Sequence, residues 1–530
     1  WVEFFMSQVF TEPHSTKHRE DGVSWGLDTD GATLARTQNP GALPSVADAE
    51  ATCRQVRCPV LVVHGDDDQI VPYATGQDIA RWTGGQLVTI AGGGHAPPLR
   101  EPVLTNLLIR DFARSVVPAA RAAQVWTRAR QRPRRALYVC SPIGLGHVRR
   151  DLAIADELRV LHPDLDIDWL TQPPVVAFLE ERGERVHPAS RLLAGETAHI
   201  ESEAGEHDLH VFQAVRRMDE ILVANFMVFA ELVESEPYDL WIVDEGWDVD
   251  AFLHDNPELK RTPYAWLTDF TGWLPMPDGG PAEAALTTDW NAERIERGRR
   301  YPRLRDRSIF VGNPDDVVDV PLGPGLPTAR EWAEERYSFG GYVLGSTPRA
   351  DREQLRADLG YAPEEQVCLV TVGGSGVGGS LLRRVAEAFP LAEKKLPGLR
   401  MVLVTGPRID PASVPTPSGV EVRGYLPDLD RHLAACDLAV VQGGLSTTME
   451  LTAAGRPFVY VPLTHHFEQQ VHVPHRLAQY GAGRRLDYAE AADPDRLAEV
   501  LGAELGRPVG YRPVETDGAA RTARLLADLL

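Results

Sequence analysis

Ser141-Pro142-Ile143-Gly144-Leu145-Gly146-His147 separates an apolar run at 136–140 from a stretch in which Leu152, Ile154, Ala155 and Leu158 recur at helical spacing. The pattern predicts a buried strand, a glycine turn and an amphipathic helix. One histidine falls at the mouth of that helix. A general base can sit there beside the partial positive charge of the helix end.

Strands and helices alternate outward from this unit. Strand candidates fall at 135–141, 166–171, 238–244, 263–267 and 308–312, with one long helical stretch over 207–236. A Gly/Pro-rich passage at 312–327 precedes a second block, with strand candidates at 366–372, 399–405, 419–424, 437–442 and 457–461. Such alternation implies parallel sheets with right-handed crossovers. The expected class is α/β: two doubly wound domains facing a cleft, with ligands beyond the carboxyl ends of the strands. The expected divisions are 1–118, an arginine-rich linker at 119–134, a first domain at 135–345 and a second at 346–530.

Composition narrows the function. The 530 residues are 43% hydrophobic and 25% charged, as in a soluble globular protein with more than one core. A formal net charge of −22 argues against a nucleic-acid partner. The five cysteines lack zinc-ligand spacing, which fits a reducing, cytoplasmic setting. No apolar run approaches the ~20 residues of a membrane span. The chain starts at Trp1 inside a helical pattern, as a fragment of a longer protein would. Arg121, Arg128, Arg130, Arg132 and Arg134 read as a solvated tether or as peripheral contact with an anionic membrane surface.

In the second block, the run at 367–372 leads into Gly373-Gly374-Ser375-Gly376-Val377-Gly378-Gly379, a candidate phosphate cradle at a helix start. The run at 438–441 leads into Gln442-Gly443-Gly444-Leu445-Ser446-Thr447-Thr448-Met449-Glu450. Gly443-Gly444 permits close backbone approach, and Ser446 and Thr447 bring hydroxyls and amides to a helix start, where a diphosphate fits. Glu450, one turn on, can accept from ribose hydroxyls. After the strand at 458–461 comes His465-His466-Phe467-Glu468-Gln469-Gln470. There Glu468 and Gln469 can grip vicinal hydroxyls.

Together with Ala453-Ala454-Gly455-Arg456-Pro457, these motifs resemble the donor site of GT-B glycosyltransferases. The likeness is both to UDP-glycosyltransferases and to the undecaprenyl-linked N-acetylglucosaminyltransferases of peptidoglycan synthesis, over roughly 135–530. It implies that Glu450 binds ribose and that Glu468 and Gln469 bind the sugar. It assigns Gly374, Ser375, Ser446 and Thr447 to the diphosphate and the loop bearing Tyr425 and Leu426 to the nucleobase, with Gly444 also in the donor-binding set. A terminal helix near 518–530 crosses back to the first domain. Two departures from plant-type members stand out: no tryptophan-rich box precedes Gly443, and Glu468 replaces the commoner aspartate.

The resemblance also implies that His147 removes the acceptor proton, as a neutral imidazole with a pKa near ~6.5 could. Asp244, at the end of the strand over 240–244, is the expected orienting partner, with Glu245 the competitor. The expected reaction is in-line, inverting displacement at the anomeric carbon without metal. No cofactor is expected beyond the nucleotide-sugar substrate, a UDP-sugar, and the acceptor is a small molecule or lipid. Trp266, Phe270, Trp273, Leu274 and Met276 read as an acceptor channel or as core. His199, Glu201, Glu203, Glu206, His207 and His210 read as a metal cluster or as a solvated loop.

The first 118 residues resemble the last third of an α/β-hydrolase. Asp68 follows the strand at 59–63 and His95 follows the strand at 86–90, at the positions of an orienting aspartate and its histidine. Gly22-Val23-Ser24-Trp25-Gly26 fits the nucleophile pattern literally, but no apolar strand precedes it. The alternatives are an esterase-like hydrolase with a ligand-binding GT-B module, and a nucleotide-sugar epimerase.

Overall fold

The structure, a computed structural model, describes residues 1–37, 45–116, 132–345, 351–374, 376–426 and 428–530. Contacts divide the chain into two compact units, and they do not follow the linear divisions above. The first comprises described residues of Trp1–Trp126 with His254–Pro257 and Gly279–Arg300; the rest form the second.

In the first unit, β1 (Leu61–Gly65) pairs in parallel with β2 (Gln86–Ile90). The helix Gly280–Arg300, not anticipated from the sequence, joins this unit through ionic contacts. His14 Nδ1 lies 2.8 Å from Asp289, the Thr16 amide donates to Asp289 at 3.1 Å, and Arg100 reaches Glu293 at 3.0 Å. Ser24 is exposed on the helix Thr16–Leu27, so its Gly-x-Ser-x-Gly match is not a strand-to-helix elbow.

The second unit holds two wholly parallel sheets. The first lobe contains β3 (Arg134–Cys140), β4 (Leu165–Leu170), β5 (Arg185–Val186), β6 (Leu240–Asp244), β7 (Tyr264–Thr268), β8 (Arg307–Phe310) and β9 (Ser338–Phe339), in the order β5-β4-β3-β6-β7-β8-β9. The second lobe contains β10 (Gln366–Thr371), β11 (Leu399–Val404), β12 (Val420–Arg423), β13 (Leu438–Val441), β14 (Phe458–Tyr460) and β15 (Arg484–Arg485), in the order β12-β11-β10-β13-β14-β15. Each order reverses once, between β3 and β6 and between β10 and β13. This is the doubly wound GT-B arrangement, and its two switch points are where ligands settle.

The unbroken apolar runs follow from burial on both faces. In β10, Cys368 and Val370 pack with Leu382 and Phe389 on one side, while Val367 and Leu369 pack with Met449 and Leu477 on the other. The helix Gly518–Ala527 lays Ala523 and Leu526 into the core of the first lobe. The single helix expected over 207–236 is two, Val211–Arg216 and Asp219–Ser235, because the chain leaves helical geometry at Arg217 and Met218. Arg132 pairs with Asp239 at 2.6 Å and Arg134 with Asp164 at 3.6 Å; the rest of the arginine-rich reading, through residue 131, lies outside the described residues. Among the described residues no helix is long and apolar enough to cross a membrane.

Candidate active site

The site is built on the two switch points. After β3 the chain turns at Gly144, whose φ of +81° favours glycine, and enters the helix Gly146–Leu161. A Cβ at Gly146 would lie 2.3 Å from Ser446 Oγ, and one at Gly374 would lie 2.9 Å from the Leu145 amide nitrogen. Side-chain-free positions therefore let the His147 turn press against both glycine loops of the second lobe.

His147 sits in the first turn of that helix, and Asp244 closes β6. Nδ1 of His147 lies 2.8 Å from Asp244 Oδ2 and 2.9 Å from Arg150 Nη2. Arg150 already donates to Asp244 Oδ1 at 2.5 Å and to Asp269 Oδ2 at 2.5 Å. Nδ1 therefore carries its hydrogen and donates it to the carboxylate. Nε2 is left on the side of Glu245, whose Oε2 is 3.9 Å away. Of the two carboxylates considered, Asp244 holds the ring and Glu245 faces its far nitrogen. Glu245 itself takes a φ of +49°, a costly backbone for a non-glycine residue, and accepts from Thr268 Oγ1 at 2.9 Å and the Asp269 amide at 3.1 Å.

The pKa near 6.5 anticipated for His147 is corrected by this setting. Burial and Arg150 push the imidazole down, but Asp244 and Glu245 prevail and raise it to about 9. Asp244 is held well below the ordinary range: burial opposes its charge, and Arg150 and His147 outweigh burial. Glu245 is lifted to about 7 by burial and by Asp269.

A cleft enclosing about 490 Å³ of empty space, open solvent included, lies beside this cluster. Gly374, Tyr425, Leu426, Ser446, Thr447 and Glu450 all line it, so six predicted donor residues from three separate segments of the second lobe meet at one cavity. Gly444 caps the helix Leu445–Ala453 that carries three of them. Ser375 lies outside the described residues. Burial raises Glu450 to about 7 against the opposing pull of Arg149, whose Nη1 lies 3.6 Å from Glu450 Oε1.

Glu468 and Gln469 do not line this cavity. They open a π-helical turn, Glu468–His472, a form common at functional sites. Burial, Asp269 and Glu245 raise Glu468 to about 8, so it lies within the field of the His147 cluster. The Gln469 side-chain oxygen Oε1 accepts from the Leu463 amide at 3.0 Å, which commits that oxygen to the loop backbone.

Trp266, Phe270, Trp273, Leu274 and Met276 are buried, and Phe270 and Trp273 pack on Phe467 of the second lobe. The acidic-histidine segment is a clasp between lobes. Glu201 pairs with Arg408 and accepts from the Gly376 amide at 2.8 Å; Glu206 accepts from Tyr488 at 2.9 Å; His207 Nε2 lies 3.0 Å from the Val461 carbonyl. His199 lies 2.9 Å from the Ala214 carbonyl, Glu203 pairs with Arg217, and His210 accepts from the Gln213 amide. Among the described residues no group of three or more His, Cys, Asp or Glu side chains could hold a metal ion.

A second cavity, about 370 Å³, opens at the carboxyl ends of β3, β4 and β6. Glu245, Glu196, Asp248, Gln172 and Asn225 line it. Glu196 accepts from Asn225 at 2.7 Å and Gln172 at 3.0 Å, and is raised to about 8 by burial and Asp248.

Sequence reasoning missed Arg149, Arg150, Asp269 and this polar cavity. One signal was present: two adjacent arginines at the fourth and fifth positions of a helix lie near its positive end, oppose its dipole and need carboxylate partners. In the first unit, Asp68 accepts from the Ile70 and Val71 amides at 2.8 Å each and lies 3.0 Å from His95 Nδ1.

Residues 367–508 match the glycosyltransferase family 28 C-terminal domain. An uncharacterized glycosyltransferase of Methanopyrus kandleri is 28% identical over 235 residues, 44% of this chain and 63% of that protein. The UDP-N-acetylglucosamine--N-acetylmuramyl-(pentapeptide) pyrophosphoryl-undecaprenol N-acetylglucosamine transferase of Clavibacter michiganensis is 32% identical over 258 residues, 41% of this chain and 65% of that protein. The chain thus spans less than two thirds of these relatives. Among solved structures, the glycosyltransferase SnogD from Streptomyces nogalater aligns with 75% of this chain and 99% of its own at 20% identity and a TM-score of 0.44.

Proposed function

We propose that this protein is a glycosyltransferase that moves a sugar from a nucleotide-sugar, a UDP-sugar in the first instance, to a hydroxyl acceptor with inversion. The observation that carries the reading is the meeting of Gly374, Tyr425, Leu426, Ser446, Thr447 and Glu450 at one cleft beside the His147–Asp244 pair. The family match over the second lobe and the two relatives described as glycosyltransferases support the same chemistry.

In this reading the nucleobase rests against Tyr425 and Leu426, the ribose hydroxyls donate to Glu450, and the diphosphate faces the start of the helix Leu445–Ala453. Glu468, protonated at neutral pH, can both donate to and accept from sugar hydroxyls. The acceptor enters by the polar cavity that shares Glu245 with the His147 cluster. Its oxygen attacks the anomeric carbon as its proton passes to Nε2 of neutral His147. The bond from that carbon to the phosphate oxygen breaks, and the electron pair leaves with the nucleoside diphosphate. Asp244 stabilises the imidazolium that forms, and helix-end amides stabilise the departing charge.

Incubation with UDP-sugars, with and without acceptor, tests the reading through UDP release. Acceptor-dependent release supports transfer, whereas epimerised donor without release overturns it. His147→Ala is expected to abolish turnover and leave UDP affinity intact; equal loss of both makes His147 a binding residue. The Asp68–His95 contact favours a second, separate reading of the first unit as part of a hydrolase. Ester cleavage that disappears in Asp68→Ala and His95→Ala tests it.

A further inference from the structure

Among the described residues, Arg149 and Glu450 are the only charged side chains that line the 490 Å³ cleft, and they come from opposite lobes. Arg149 occupies the fourth position of the helix Gly146–Leu161, and Glu450 lies in the helix Leu445–Ala453. Their charged atoms are 3.6 Å apart, with both side chains largely buried. The stem of Arg149 is held, since a Cβ at Gly345 would lie 2.9 Å from Arg149 Cβ. Nothing in local helix energetics favours this cation: a guanidinium near the positive end of a helix opposes its dipole.

A nucleoside diphosphate changes both sides of the pair. Ribose hydroxyls donating to Glu450 replace the guanidinium as its partner. The diphosphate brings anionic oxygens to the start of the helix Leu445–Ala453, which meets the turn bearing Arg149 at the Gly146–Ser446 contact. A planar guanidinium suits phosphate oxygens better than it suits a single carboxylate oxygen at 3.6 Å.

We propose that Arg149 is the diphosphate-binding cation of the cleft, contributed by the first lobe and parked on Glu450 while the cleft is empty. The inference rests on the donor-cleft reading above and adds a residue that the second lobe does not contain. Donor binding then exchanges one interlobe ion pair for a ligand-bridged one, which couples diphosphate recognition to the docking of the His147 turn.

Calorimetric titration of the full chain with UDP, UMP and uridine tests this, with wild type, Arg149→Ala and Arg149→Lys compared. The expected result is a loss of about tenfold or more for UDP in Arg149→Ala, as for a charge-assisted hydrogen bond, with uridine changed less than about twofold. Arg149→Lys should recover part of the UDP affinity. Equal losses for UDP and uridine, or an unchanged UDP affinity, overturn the inference while leaving the donor cleft intact. A wild type that binds no nucleoside diphosphate of any base overturns the donor cleft itself. Thermal melts accompany each variant, and if Arg149→Ala does not fold, the UDP-to-uridine ratio in Arg149→Lys and Arg149→Gln decides.

Discussion

Asp244→Asn keeps the shape of the side chain beside His147 and removes its charge. In the wild type, Asp244 is the first of the influences that raise the imidazole to about 9. Arg150 remains in the variant, still paired with Asp269 at 2.5 Å, and it and burial push His147 down. Glu245 still raises the imidazole, so it should titrate well below its wild-type value, toward about 6.5. At pH 7.5 the neutral fraction rises from roughly 3% to roughly 90%. A larger pool of free base does not make a faster enzyme here. The amide cannot stabilise the imidazolium and no longer dictates which ring nitrogen carries the hydrogen, so turnover should fall by ~10²–10⁴. The two effects separate in a pH profile of nucleotide release. The wild-type rate should climb through an inflection near 9, and the weak rate of the variant should be flat above pH 7.

Stability follows the same linkage. A histidine whose folded pKa exceeds its unfolded value contributes stability that is complete below about 6.5 and is lost as pH rises through about 9. The interval from 6.5 to about 9 sets a ceiling of about 3 kcal/mol. Urea unfolding of the wild type between pH 6 and 10 should show a decline that Asp244→Asn lacks. A wild-type rate inflection near 6.5, or one left in place by Asp244→Asn, would refute the reasoning.

Glu450 is raised to about 7, so nucleoside affinity should weaken as pH falls below 7 and lose that dependence in Glu450→Gln, measured by uridine titration. Glu201→Gln removes a partly exposed pair with Arg408, and because solvent screens such a pair the cost should be within about 1 kcal/mol by denaturant unfolding. Trp273→Ala empties a fully buried site between Phe270 and Phe467 and should cost about 3–5 kcal/mol, read as a lowered melting temperature. Asp68→Ala leaves the Ile70 and Val71 amides without their acceptor, at about 1–3 kcal/mol each if they stay buried, and limited proteolysis should then cut the first unit at lower denaturant than in the wild type.

Much of the architecture was readable because parallel strands covered on both faces become short continuous apolar runs, and 136–140, 367–372 and 438–441 have no other use. The helix over 280–300 was not readable in this way. Its pattern is polar, and what it packs with depends on His14 and Arg100, far away in sequence. The 207–236 stretch was over-read for the opposite reason: its apolar spacing continues through Arg217 and Met218 although the backbone does not.

The residue types of the donor site were determined by sequence alone, since glycine loops, hydroxyls at helix starts and a carboxylate one turn on declare their chemistry locally. Which of them share a cavity was decided by the order in which the strands join. Tertiary structure alone decided that Asp244 rather than Glu245 takes Nδ1, that the imidazole is raised to about 9, and that Arg149 reaches across to Glu450. Electrostatic interaction depends on distance and on the dielectric around each charge. Neither exists until the lobes are folded and the water between these groups is gone.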